Sequence, residues 1–236
     1  MENQIDIFND PDISSLKSEL KELEEKFNEL TNEKSECEKL LFDFHHRHTL
    51  ELGKIILEIL KLRKLKFKHD RIKFDDAARD ETRYKEQVET EKNKYQYIIT
   101  DEEKTELKRN FRKATFLCHP DKVHDFFKDS AEKIFIDLKL AYEANDLKKV
   151  SEILTELEKG NYFRTKSETI AGKDKFITKI SKLKSQIQKL KKEIEKVKES
   201  DSFQTISEIK NWDSYFKTAK KCLMQELDEL RNETLR

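Results

Sequence analysis

Helix breakers are almost missing from this sequence: it has 3 glycines and 2 prolines in 236 residues. Glycine supplies positive φ and proline pre-sets turns, so a chain this poor in both has few places to reverse. Long helices are the expectation. Cysteine is scarce as well. Cys37, Cys118 and Cys222 are far apart and odd in number, which argues against a disulfide framework and fits a reducing cytoplasm. No stretch approaches the roughly 20 consecutive apolar residues of a membrane span. The opening MENQIDIFND is acidic and lacks the apolar core of a signal peptide. A soluble, cytoplasmic protein with no membrane partner is expected. Net charge is absent too: 49 basic residues balance 49 acidic ones, so no global attraction to nucleic acid or membrane follows. One large core does not fit either, because 35% of the residues are hydrophobic and 42% charged, against a usual charged share of about 25%. No period of about 20–50 residues repeats, which sets a solenoid aside.

What the chain does have is heptads. Residues 1–12 read as a lead-in, with Asp12 or Ser14 as the candidate helix cap. From there Ile13, Leu16, Leu20, Leu23, Phe27, Leu30, Lys34, Cys37, Leu41 and Phe44 alternate spacings of three and four. That is an a/d seam broken only by Lys34. The segment His45-His46-Arg47-His48 disturbs it, and it resumes in a new phase at Leu52, Ile55, Ile59 and Leu62. One bent helix or a helix–turn–helix would serve, with Gly53 permissive for a bend. Residues 1–67 therefore read as an N-terminal coiled-coil region. Residues 68–99 read as a polar helical connector, anchored sparsely by Ile72, Phe74, Tyr84, Val88, Tyr95, Ile98 and Ile99. After a linker over 161–173, Phe176, Ile180, Leu183, Ile187, Leu190, Ile194 and Val197 form a second seam without a miss. Ser200-Asp201-Ser202 is a short break before a last striped helix bearing Ile206, Ile209, Phe216, Leu223, Leu227 and Leu230. Residues 174–236 thus read as a C-terminal antiparallel helical hairpin.

Charge is unevenly spread despite the zero total. Residues 1–40 carry 12 acidic residues against 5 lysines, and residues 166–198 carry 11 lysines against 4 acids. Two heptad helices of opposite sign suit each other, within one chain or across a homodimer. Two solvated outer faces are the bland alternative. The lysines of 173–198 lack interleaved aromatics and arginine, so nucleic acid is not an expected partner. His45 and His48 lie a turn apart with Cys37 two turns back, without the compact convergence of a zinc site. No metal and no other cofactor is expected.

The stretch 100–160 has a different pattern. Thr100 with Glu103 forms a capping box that starts a helix. Leu107, Phe111, Ala114 and Cys118 share one narrow face of it. Lys104, Lys108, Arg109, Arg112 and Lys113 spread over the neighbouring half of the circumference. Pro120 lacks an N–H and biases His119 away from helical angles, so the helix must stop there. Ala131, Ile134, Phe135, Leu138, Ala141 and Tyr142 then mark a second core-facing stripe. The expected product is a helical hairpin with the rigid, charged loop His119-Pro120-Asp121 at its tip. As a catalytic pair His119 and Asp121 would splay across the proline. No nucleophile, Gly-rich phosphate loop or second base stands beside them, so no enzyme is expected. Cys118 reads as a small core residue, or else as a redox-sensitive thiol beside Lys113 and His119.

A basic helix reading F-R-K, then H-P-D-K, then a helix reading F-x-x-L-x-x-A-Y-E, resembles a J-domain. That is the cochaperone module that stimulates ATP hydrolysis by DnaK-class (heat-shock seventy) chaperones. The resemblance covers about a quarter of the chain. It implies that His119, Pro120 and Asp121 dock at the chaperone's nucleotide-domain and linker interface. It implies that Lys108, Arg109, Arg112 and Lys113 meet an acidic surface there. Phe111, Phe135, Leu138 and Tyr142 match the family's interhelical core. Cys118 stands where the family usually carries tyrosine. The family's opening aromatic pair and short helix are replaced by RYKEQVETEKNKYQYIIT, and after Tyr142 the chain continues as EANDLKKVSEILTELEKG where the family would turn out into a loop. The family's Gly/Phe-rich, Cys-rich zinc and β-rich client regions are missing, so the resemblance implies delivery of one specific protein client. The expectation is an elongated all-α molecule with coils at both ends. Its function is either that of a cochaperone or that of a structural coiled-coil adaptor whose J-like hairpin is a packing relic.

Overall fold

α1 is one uninterrupted helix, Pro11–Lys66, 56 residues long. It belongs to a computed structural model that describes residues 11–94, 96–123, 127–160 and 173–234. After it come α2 (Arg71–Lys92), α3 (Asp101–Cys118), α4 (Lys128–Glu143), α5 (Leu147–Glu158), α6 (Lys173–Glu199), α7 (Asp201–Glu208) and α8 (Trp212–Thr234). Among the described residues there is no strand, and the fold is all-α. No described helix is long and apolar enough to cross a membrane. The lead-in over 1–10, the anchor Tyr95 and the linker over 161–172 lie outside the described residues. Asp12 and Ser14, the candidate caps by sequence, both lie inside α1, which already begins at Pro11. Proline is tolerated in a first turn because its missing N–H would have no helical partner there.

The chain divides into two compact units, Met1–Lys39 with Tyr97–Ser200, and Leu40–Gln96 with Asp201–Arg236. In the first, the opening part of α1 lies along α6. Ile13, Leu20, Phe27 and Leu30 are buried against Phe176, Ile180, Leu183, Ile187 and Ile194, with Leu16, Leu23 and Leu190 completing the seam. The opposite charges read from the sequence meet inside one chain. Lys184 pairs with Glu19 at 2.6 Å, Lys179 with Glu24 at 3.0 Å and Lys198 with Glu33 at 2.6 Å. Lys34, the seam's misfit, reaches Glu193 at 2.7 Å. Glu19 and Glu24 meet Lys184 and Lys179 near the start of α6, while Glu33 and Lys34 meet Lys198 and Glu193 near its end, so the two helices run parallel. Exposed ion pairs contribute about 0–1 kcal/mol each. The apolar seam therefore supplies the stability, and the charges select direction and register.

In the second unit the remainder of α1 has two partners. α2 runs back along it: Lys64 pairs with Glu81, His46 faces Glu91 at 3.3 Å and Gln96 donates to Asp43 at 3.0 Å. α1 passes through His45–His48 and Gly53 without a break. His46 is buried against α2, and His45 and His48 sit beside Phe44, so the polar run is accommodated within the helix. Gly53 serves close approach instead of a bend, since a Cβ there would lie 3.1 Å from Val88 Cγ2. The connector expected over 68–99 is thus largely the antiparallel partner of α1. Of its anchors, Val88 is buried, Ile72 and Ile98 are exposed, and Ile99 packs on the helices that follow.

The second partner is α8, preceded by α7. Phe44, Leu52, Ile206 and Phe216 form the buried cluster, flanked by Leu41, Trp212 and Leu223. Arg47 pairs with Asp213 at 2.5 Å, Glu58 with Arg231 at 2.9 Å and Lys66 with Glu233 at 2.8 Å, again a parallel order. The described residues of 174–236, expected as an antiparallel hairpin, pack on α1 within each unit. α6 takes the first part of α1 as its partner, and α8 takes the second.

Replacing the buried Leu183 by Asp should cost the first unit about 3 kcal/mol or more, through a cavity and an unpaired buried charge. Urea unfolding followed by circular dichroism reads this. The same change at the exposed Lys182 should move the midpoint little.

Candidate functional site

The site is built on local rules before any tertiary contact. Thr100 Oγ1 accepts the Glu103 N–H at 3.2 Å and Glu103 Oε2 accepts the Thr100 N–H at 2.7 Å, so the capping box is closed in both directions. Asp101, Glu102 and Glu103 fill the first turn of α3 with negative charge, which suits the positive end of the helix dipole. One face of α3 buries Leu107, Phe111, Ala114 and Cys118. Opposite them α4 buries Ala131, Leu138, Ala141 and Tyr142, and Phe111 stacks on Tyr142 with ring centroids 4.0 Å apart.

A third helix completes the module. The α4 helix ends in a Schellman turn: the Asp146 N–H bonds to Ala141 O at 2.9 Å and the Asn145 N–H to Tyr142 O at 3.2 Å. Asn145 takes the left-handed position, φ 59°, which asparagine tolerates better than most residues. Asp146 then caps α5 by accepting the Lys149 N–H at 2.9 Å. α5 buries Val150, Leu154 and Leu157 in the same cluster as α3 and α4. Two polar residues of α3 are buried. Asn110 donates to Ser151 Oγ at 3.1 Å, while Thr115 Oγ1 is buried without a partner among the described residues.

His119 stops α3 with extended backbone, φ −62° and ψ 126°, as a residue before proline should. The Lys122 N–H returns to His119 O at 2.9 Å and closes the turn. His119 Nδ1 accepts the Asp121 backbone N–H at 3.2 Å, which makes it the unprotonated nitrogen. The ring stands edge-on to Phe27 of α1, centroids 5.0 Å apart, and lies 5.2 Å from Phe135. Burial lowers the imidazole to about 4; the Asp121 carboxylate opposes this and Lys122 and Lys34 reinforce it. The ring is therefore a neutral wedge at ordinary pH. Asp121 is exposed, and its carboxylate makes no hydrogen bond or ion pair among the described residues.

The basic face is divided. Lys108 pairs with Glu36 of α1 at 3.0 Å, and Arg112 pairs with the same carboxylate. Burial would raise the Glu36 carboxyl, but hydrogen bonds from Arg112 and Lys108 outweigh it and hold the group below its usual range. Arg109 is exposed and turns to Glu106 of its own helix at 3.6 Å. Lys113 is exposed and makes no ion pair among the described residues. A residue beyond the tripeptide also belongs to the site. Lys122 lies 4.0 Å above the Phe116 ring and donates to Asn28 Oδ1 of α1. Burial lowers its ammonium to about 8, partly offset by Glu24. Lys122 was visible in the sequence as part of H-P-D-K, but the contacts of Phe27, Asn28 and Glu36 with the site gave no signal there, because a pair more than 70 residues apart leaves no local period.

Chemically the tip offers one exposed carboxylate and two outward cations, a recognition surface for charged groups. Cys118 is fully buried and its thiol is pushed up to about 12 by burial, so it is a core residue and not a reactive thiol. Among the described residues no group of three or more His, Cys, Asp or Glu converges on a metal position.

Two measurements check this geometry. A thiol reagent at pH 8 should label the exposed Cys222 at once, and the buried Cys37 and Cys118 only on unfolding. The second concerns His119, whose folded proton affinity is lowered from 6.5 to about 4. The unfolded chain binds the extra proton between those values, so stability from this group is complete above about pH 6.5 and is lost as pH falls through 4. Between pH 4 and 7, wild-type stability should rise by up to about 3 kcal/mol more than that of His119→Gln in urea titrations.

No protein-family model matches the chain, and neither a curated protein nor a solved structure does.

Proposed function

We propose that this chain is a J-domain cochaperone that recruits a DnaK-class (heat-shock seventy) chaperone and stimulates its ATPase. The observation that carries the reading is the exposed Asp121 carboxylate beside Pro120, at the end of a capped basic helix whose hairpin has its own core. A partner can reach that carboxylate without opening the helices. A partner Arg or Lys would find it unclaimed and form a charge-assisted hydrogen bond. Arg109 and Lys113 face outward on the same helix and would steer an acidic surface toward the loop. His119, Pro120 and Lys122 give the turn its shape. The chain performs no catalysis of its own in this reading; the chemistry is the partner's. The helices paired along α1 are the natural place to hold a client or an assembly. Their seams are filled by the chain's own α6 and α8, so a homodimer is not needed to bury them.

A second reading, a structural adaptor in which the hairpin serves packing, is favoured by one observation. Lys108, Arg112 and His119 are already engaged by α1.

Single-turnover ATP hydrolysis by a DnaK-class chaperone separates the two. Wild type should stimulate it, and Asp121→Asn should stimulate it roughly tenfold less, the loss of one charged hydrogen bond. The two proteins should unfold at the same urea concentration, because an exposed loop carboxylate contributes little to packing. Stimulation should also weaken as salt rises from about 0.05 to 0.5 M. Equal stimulation by both proteins would leave the adaptor reading.

A further inference from the structure

The first unit contains two apolar clusters, and they do not merge. One holds Leu107, Phe111, Leu138 and Val150 and draws on α3, α4, α5 and the neighbouring Ile99. The other draws on α1 and α6. Between them runs a polar seam. Glu36 takes Lys108 at 3.0 Å and also Arg112, and Glu38 takes Lys139 at 2.7 Å. Lys39 reaches the α4–α5 corner, 3.2 Å from Glu143 O and 2.9 Å from Asn145 Oδ1. Lys122 donates to Asn28, and Phe27 holds the His119 ring. A cavity of about 360 Å³ opens within this seam, lined in part by Lys34, His119, Asp121, Phe135 and Glu193. Exposed ion pairs contribute about 0–1 kcal/mol each and weaken with salt. Opening an apolar cluster costs about 25 cal/mol for each Å² exposed. Parting this seam breaks its ion pairs and the Phe27–His119 ring contact, while each cluster stays packed within itself.

Glu36 stands against two of the cations assigned above to the chaperone contact. We propose that α1 is a built-in competitor for that contact: Glu36 occupies Lys108 and Arg112 while Phe27 and Asn28 hold His119 and Lys122, so full docking requires this seam to part. The inference rests on the cochaperone reading. Arg109, Lys113 and Asp121 stay accessible in the closed state and supply the first encounter. An acidic partner surface then displaces Glu36 by offering carboxylates to the same two side chains. Apparent affinity is the intrinsic affinity scaled by the open fraction, so weakening the seam must tighten docking.

The test uses the full chain with a DnaK-class chaperone and two readouts. Glu36→Gln should lower the half-maximal concentration for ATPase stimulation roughly 3- to 10-fold, the range for one or two surface ion pairs. Glu19→Gln, which removes the pair to Lys184 away from the loop, should leave it unchanged. In the second readout a carbodiimide couples Lys to Glu without a spacer. The Lys108–Glu36 product should form in the free protein and fall when chaperone is added, while Lys184–Glu19 stays constant. Stimulation by wild type with no effect of Glu36→Gln, or a Lys108–Glu36 yield indifferent to chaperone, overturns the competitor and leaves the cochaperone reading. Failure of wild type, Glu36→Gln and Glu36→Lys alike to stimulate overturns the cochaperone reading and the competitor with it.

Discussion

The apolar seam of α1 has to be covered along 56 residues, and the chain covers it with its own helices. An isolated helix of that composition would expose a stripe of Leu, Ile and Phe to water at about 25 cal/mol per Å². α6 covers the first part, and α8 with α7 covers the later one. α2 closes a further face at Gly53, where the absence of a side chain lets Val88 approach. The requirement also explains the parallel order. Strong apolar stripes on α6 and α8 pair most favourably with the long stripe on α1, and lysines on α6 opposite glutamates on α1 decide which way the pair runs.

The α3–α5 module follows a different economy. Its helices are short, and each boundary is set by a local device. These devices are the capping box at Thr100, the stop before Pro120, the left-handed Asn145 and the cap at Asp146. Its core is separate from the seam of α1, so its tip is held in shape from within. His119 contributes by being neutral: its Nδ1 ties down the Asp121 amide, and its ring fills the space between Phe27 and Phe135. This leaves the Asp121 carboxylate outward. The same side of the module leans on α1 through charges, which couples the proposed chaperone contact to the pairing of α1 with α6. In that arrangement a coil is more than a handle for a client. In the proposed reading it would also govern how much of the basic face a partner meets.

Much of this was legible in the chain before folding. Both heptad seams, the hairpin stripes, the capping box and the stop at Pro120 follow from spacing and from single residues with restricted backbone. Charge also suggested the pairing of the acidic opening with the lysine-rich stretch, beside the alternative of two solvated faces. Three features were not legible. The packing of 174–236 on α1 was not read, because an apolar stripe states that it must be buried and does not name its cover. Gly53 was read as permissive for a bend, because glycine serves both flexibility and close approach, and only the position of Val88 distinguishes them. The contacts of Glu36 with Lys108 and Arg112 were invisible, because their neighbours in sequence carry no trace of a pairing more than 70 residues away. Helix type, helix ends and the shape of the His119–Asp121 turn are local consequences of backbone sterics and residue spacing. Which helices meet, in what direction, and which cations are left free for a partner are long-range outcomes of burying several stripes at once.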